Sequence, residues 1–199
     1  MPSLLPLLAL LALDGSALAP PPLARIALAF DARLPTSISR PALEETAAIW
    51  APYGVAIAAP EQPAPCPVPD VLDVLLTVHI EDTVVGSGVW AAPFASIQFL
   101  DGVPETTIRL HYENLVRLGL QTGAHEVQWP RSARERVLAR MIGRVLAHEV
   151  GHWLLRTRCH SATGLMRAVQ QATELAEPGR AGFRLDPRDI VRLREMTGR

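Results

Sequence analysis

The sequence predicts an α/β chain of the α+β kind: a mixed, twisted sheet with a covering helix, one long helix, and a small helical C-terminal part. Three observations carry that expectation. β-prone runs at residues 23–30, 54–58 and 71–80 enclose one helical run at 41–50, the order of a sheet with a helix laid across it. Residues 132–155 place Leu138, Met141, Ile142, Val145 and Leu146 at the spacing of a helix with a buried stripe. Further on, Pro178-Gly179 and Asp186-Pro187 divide the last third into short helical segments.

The elements follow in chain order. Residues 4–13 form an apolar run too short to cross a bilayer, and Ala17-Leu18-Ala19 gives a small-x-small cleavage pattern before Pro20. Residues 1–19 therefore read as a secretory signal peptide, with one domain over 20–199 and a secreted or periplasmic location. Pro6 interrupts the run and no Arg or Lys precedes it. Residues 23–30 predict the first strand, 41–50 a helix with Ser39 as its cap, 54–58 and 71–80 two more strands, with a proline-rich loop at 60–69. Two β-prone runs, 96–100 and 106–112, flank Asp101-Gly102, a turn signal that predicts a hairpin. Ser132 and Glu135 have the spacing of a capping box, so the long helix is expected to begin near Ala133. Residues 166–177 predict a helix, and Asp186 caps a last one reaching Met196.

Composition narrows the function classes. With 199 residues and 49% hydrophobic content the chain can bury a sizeable core. A formal net charge of -1 gives no electrostatic reason to expect nucleic acid, and no later segment is apolar enough for stable membrane insertion. All basic residues are Arg, and Arg131, Arg134, Arg136, Arg140 and Arg144 recur at helical steps, which reads as a solvated helix face. Cys66 and Cys159 are compatible with one disulfide in an oxidising compartment; a sharper alternative has Cys66, in Pro65-Cys66-Pro67, capping a metal as a latency device.

The chemistry is concentrated in His148-Glu149-Val150-Gly151-His152. Residues four apart share a helix face, so His148 and His152 can hold one ion while Glu149 reaches its open side as a general base for a metal-activated water. His160 lies eight residues beyond His152; a continuing helix would carry it about 12 Å away, so the helix must stop and turn back for His160 to serve as a third ligand. Three protein ligands with one open position is the catalytic pattern of zinc. His79, His111 and His125 read as structural or surface histidines, and Tyr112 as an optional oxyanion partner.

The run HEVGHWLLRTRCHSATGLM resembles the zinc-binding region of metzincin-type metallopeptidases. That resemblance implies a zincin-like fold, Zn2+ held by His148, His152 and His160, Glu149 as the base, Met166 in a Met-turn beneath the metal, and a peptide or protein substrate. It also implies a strand along the upper rim of the cleft, for which residues 86–90 are the candidate, with Trp90 and Phe94 as rim or core aromatics. The chain departs from the family pattern at Arg158, where the third His commonly stands, at Leu155, where Gly is usual, and at Ala168, where Tyr is usual. Three other readings stand beside this one: a zinc hydrolase with Glu174 or Glu177 as third ligand, a non-catalytic binding module that keeps the fold, and an accidental His-Glu-x-x-His on a core helix.

Overall fold

The computed structural model describes residues 22–60, 72–81, 93–121 and 129–198. The leader, the proline-rich loop with Cys66, the expected rim at 86–90 and His125 lie outside them. Five strands, β1 (Ala24–Phe30), β2 (Val55–Ala58), β3 (Leu72–Ile80), β4 (Ala95–Leu100) and β5 (Val103–Leu110), form one mixed sheet in the order β2-β1-β3-β5-β4. All neighbours run parallel except β4, which pairs antiparallel with β5 at the sheet edge. With five α-helices among the described residues, the fold is α+β.

Each strand's alternation faces its apolar residues one way. Ala24, Ile26 and Leu28 of β1, Val55 and Ile57 of β2, Leu76, Val78 and Ile80 of β3, and Ile108 and Leu110 of β5 are all buried. Against that face pack α1 (Thr36–Trp50) and α3 (Arg131–Leu155). Leu75, Thr77 and His79 of β3 point the other way and are exposed, which explains why a mostly parallel sheet shows alternation rather than unbroken apolar strands.

Several boundaries differ from expectation for local physical reasons. Helix α1 starts at Thr36, with Pro35 at the N-cap and Pro41 inside it; Ser39 is a helical residue, and the Ile38 and Ser39 amides donate to the Pro35 carbonyl. Helix α3 starts at Arg131 behind Pro130 without a side-chain cap. The Ser132-Glu135 capping box does not form because Glu135 is drawn to Arg131 at 2.7 Å and to Ser37. A helix that the strand reading of 106–112 obscured, α2 (Tyr112–Gln121), follows β5 directly and buries Leu115 and Leu118. The helix expected over 166–177 shrinks to α4 (Ala172–Ala176), capped by Gln171 and Glu174. The final helix, α5 (Pro187–Met196), has Asp186 as its cap, accepting from the Arg188 amide at 3.0 Å.

The arginine row on α3 is not uniformly solvated. Arg144 is 0% exposed: its Nε donates to Glu45 of α1 at 3.0 Å, its Nη2 to the Gly179 carbonyl at 2.6 Å, and its guanidinium lies 4.4 Å over the Phe183 ring. Arg180 donates to the other oxygen of Glu45 at 2.7 Å. A charge this deep is tolerable only when its donors are matched, and here the matching ties α1, α3 and the C-terminal segment together. Among the described residues no helix is long and apolar enough to cross a membrane.

Candidate metal centre

His148 and His152 stand one turn apart near the C-terminal end of α3, and each ring is steered by a backbone carbonyl. The Nδ1 of His148 lies 2.8 Å from the Leu165 carbonyl oxygen, and that of His152 lies 2.7 Å from the Thr157 carbonyl oxygen. A carbonyl only accepts, so both Nδ1 atoms carry the proton and both Nε2 lone pairs are bare. Those two Nε2 atoms face each other at 3.0 Å. Burial holds His148 down to about 4 and lowers His152 as well, so both rings are neutral near pH 7. Two bare lone pairs at this distance repel; a cation between them resolves the contact. Nitrogens about 2.0 to 2.1 Å from a tetrahedral ion stand roughly 3.3 Å apart, close to the separation found.

His160 completes the group. Helix α3 ends at Arg156, which takes the left-handed conformation (φ 45°, ψ 51°) that glycine usually supplies at a helix exit. The chain then doubles back, and the His160 ring stacks on His148 at 5.2 Å and 17° while meeting His152 edge-on at 4.9 Å. One ligand atom from each of His148, His152 and His160 lies within 4.8 Å of the others, and among the described residues no other such group of potential metal ligands occurs. These three histidines can hold a metal ion.

Residues 161–167 form a turn locked beneath the site. The Ser161 amide donates to the Met166 carbonyl at 2.8 Å, its hydroxyl donates to Asp189 of α5 at 2.6 Å, and the Leu165 amide donates to the Arg184 carbonyl at 2.7 Å. Met166 is buried against α3, where its sulfur lies so close to Gly151 that a Cβ there would meet it at 2.2 Å. Gly151 is thus what lets the turn approach the ligand helix. Trp50 of α1 steadies the same turn of α3 by donating to the Ala147 carbonyl at 3.1 Å.

Glu149 is buried and points to the sheet side of the cleft. Burial raises its carboxyl to about 7, partly opposed by a hydrogen bond from the Ile97 amide. A cation at the histidines would draw it back towards ionisation. The Ile97 amide belongs to β4, so the rim strand among the described residues is this edge strand. The cleft holds about 490 Å3 and is bounded by residues 93–97 and Phe99 on one side and by residues 167–170 on the other, with His148, Glu149, His152 and His160 within it.

The remaining sequence candidates fall elsewhere. Tyr112 opens α2 and lines a separate cavity with Arg134 and Glu135, not the histidines' cleft. His79 is exposed beside Asp31 at 3.4 Å, and His111 is buried at the β5 to α2 junction. Glu174 is committed to the Gln171 amide at 3.0 Å and to Arg167, and Glu177 is exposed on the segment after α4. Phe94 lines the cleft. Cys159 is exposed next to His160, and its pairing with Cys66 lies outside the described residues. Gly151 inside the ligand helix was the sequence's unused sign of a close approach; the steering carbonyls of Thr157 and Leu165 left none, because a backbone oxygen is common to every residue. No protein-family model, curated protein or solved structure matches this chain, and its function is read from the geometry of this centre.

Proposed function

We propose that the protein is a zinc-dependent endopeptidase of the metzincin type, acting on peptide or protein substrates. The observation that carries this reading is the pair of bare, facing Nε2 atoms joined by His160, with the Glu149 carboxyl in the same cleft beneath an edge strand. Three imidazoles suit zinc, and the carbonyl partners on Nδ1 of His148 and His152 are the supports such ligands use. When bound, zinc supplies Lewis acidity, polarising a carbonyl oxygen and making water easier to deprotonate.

The chain's own residues supply the rest. Glu149, ionised beside a bound cation, accepts a proton from water and returns it to the leaving amine. Among the described residues no strand pairs with the outer side of β4, where an extended peptide can add as a further strand. Apolar walls from Phe94, Ile97 and Val145 limit water in the cleft. The leader pattern supports export as the setting for this activity.

Glu174 as a third ligand is disfavoured by its commitments to the Gln171 amide and Arg167. The binding-module reading predicts no cleavage of any peptide. Incubating the protein with a broad peptide mixture, with and without a zinc chelator, separates the two: chelator-sensitive cleavage within chains is expected, and uncut peptides from zinc-loaded protein would refute the peptidase reading.

A further inference from the structure

The cleft carries one charge that this chemistry does not use. Arg158 follows the turn after α3 and lines the cleft with the three histidines. Its Nη2 donates 2.9 Å to the Phe99 carbonyl of β4, and its guanidinium carbon lies 5.1 Å from the Phe99 ring centroid. These contacts hold the group at the Phe99 end of the cleft, yet a single bond to a neutral carbonyl occupies only one of five donors. The other arginine of the cleft wall, Arg167, is paired with Glu174. Among the described residues Arg158 has no carboxylate partner, and Glu149 is the only acid lining the cleft.

An arginine pre-positioned on an aromatic face, with its fork open, fits a carboxylate in two-pronged fashion. We infer that Arg158 is a specificity residue that receives a substrate carboxylate, either an Asp or Glu side chain or a free C-terminus, at the Phe99 end of the cleft. The inference rests on the peptidase reading for the kind of molecule bound, and on the surroundings of Arg158 for the charge it carries. A charge-assisted contact of this type strengthens binding by about tenfold to a hundredfold.

The test uses the full chain carrying Glu149→Gln, loaded with zinc, and fluorescein-labelled peptides of one sequence. In one arm Glu replaces Gln at each position in turn; in the other the C-terminus is a free acid or an amide. Anisotropy titration is expected to show tighter binding, by about tenfold to a hundredfold, in one arm, which identifies the source of the carboxylate. Arg158→Ala should erase that gain and Arg158→Lys should keep part of it, with zinc content unchanged. Should Arg158→Ala lose zinc, Arg158→Gln removes the charge while keeping a donor for Phe99. A gain that survives these substitutions, or no gain in either arm, overturns the inference. Cleavage by the unsubstituted protein is followed in parallel: cleavage without an acidic preference counts against Arg158 alone, whereas preference without cleavage counts against the peptidase reading alone.

Discussion

At Glu149 the same burial that suits a proton carrier works against stability. Its carboxyl is raised to about 7, so below pH 4.5 the group is protonated in both states and costs nothing, while above pH 7 the folded state must bury the charge. Glu149→Gln should therefore stabilise the metal-free protein at pH 8, by up to ~3 kcal/mol, and have no such effect at pH 4. In the proposed reaction the same substitution should reduce turnover by at least ~100-fold with zinc retained; activity close to that of the parent would remove Glu149 from the mechanism. At Gly151, an added Cβ would sit 2.2 Å from the Met166 sulfur and 3.4 Å from Trp50. Gly151→Ala gains helix propensity of about 1 kcal/mol, but overpacking costs about 1 to 3 kcal/mol. A net loss in urea unfolding is expected, relieved when Met166→Ala is added. An additive pair would mean that the two side chains do not meet.

Among the elements, α3 carries two features that its own sequence only half announces. Arg156 closes the helix with positive φ, a conformation that costs a non-glycine residue about 1 kcal/mol, so Arg156→Gly should raise stability by up to ~1 kcal/mol. Arg144→Ala should cost ~3 to 5 kcal/mol because Glu45 is left buried with part of its compensation gone, whereas exposed Arg134→Ala should stay within ~0.5 kcal/mol. Equal losses at the two positions would contradict the buried bridge. The contrast also shows what the sequence could carry. Helical period and the His-Glu-x-x-His spacing are local, and so α3 was legible with its ligand face; Asp101 and Gly102, both at positive φ, gave the β4 to β5 hairpin by turn chemistry alone. Arg144 looked like its solvated neighbours because its partners, Glu45 and the carbonyls near Gly179, are distant in the chain. Helix α4 was overestimated for a similar reason: Gly164 packs against the Arg184 carbonyl and Met166 against Gly151, and those long-range contacts hold Met166 in a turn, so the helix begins only at Ala172. The start of α2 was hidden because 106–112 is locally β-prone, although Leu115 and Leu118 already carried helical spacing.

Across the whole molecule, the centre lies where α3, the edge strand β4 and the turn before α4 meet, and an ion held by its histidines would couple occupancy to stability. His148 is lowered to about 4 and His152 is lowered too; between pH 6.5 and about 4 the unfolded chain binds the extra protons, so metal-free protein loses stability as pH falls through that window. Asp31, Glu135 and Glu174 are held below the usual carboxylate range by arginine and backbone partners, which extends the loss to lower pH. Glu149 tilts the other way between pH 4.5 and 7, so Glu149→Gln should steepen the rise in metal-free stability from pH 4 to 6.5; an unchanged slope would mean that Glu149 does not titrate there. The most direct test of three imidazoles converging on one ion is X-ray absorption at the zinc edge on the full-length, zinc-loaded protein. The expected spectrum has three imidazole nitrogens at about 2.0 to 2.1 Å and one water oxygen at a similar distance, falling to two imidazoles in His160→Ala. A sulfur shell at about 2.3 Å, or a spectrum that His160→Ala leaves unchanged, would contradict the centre described here.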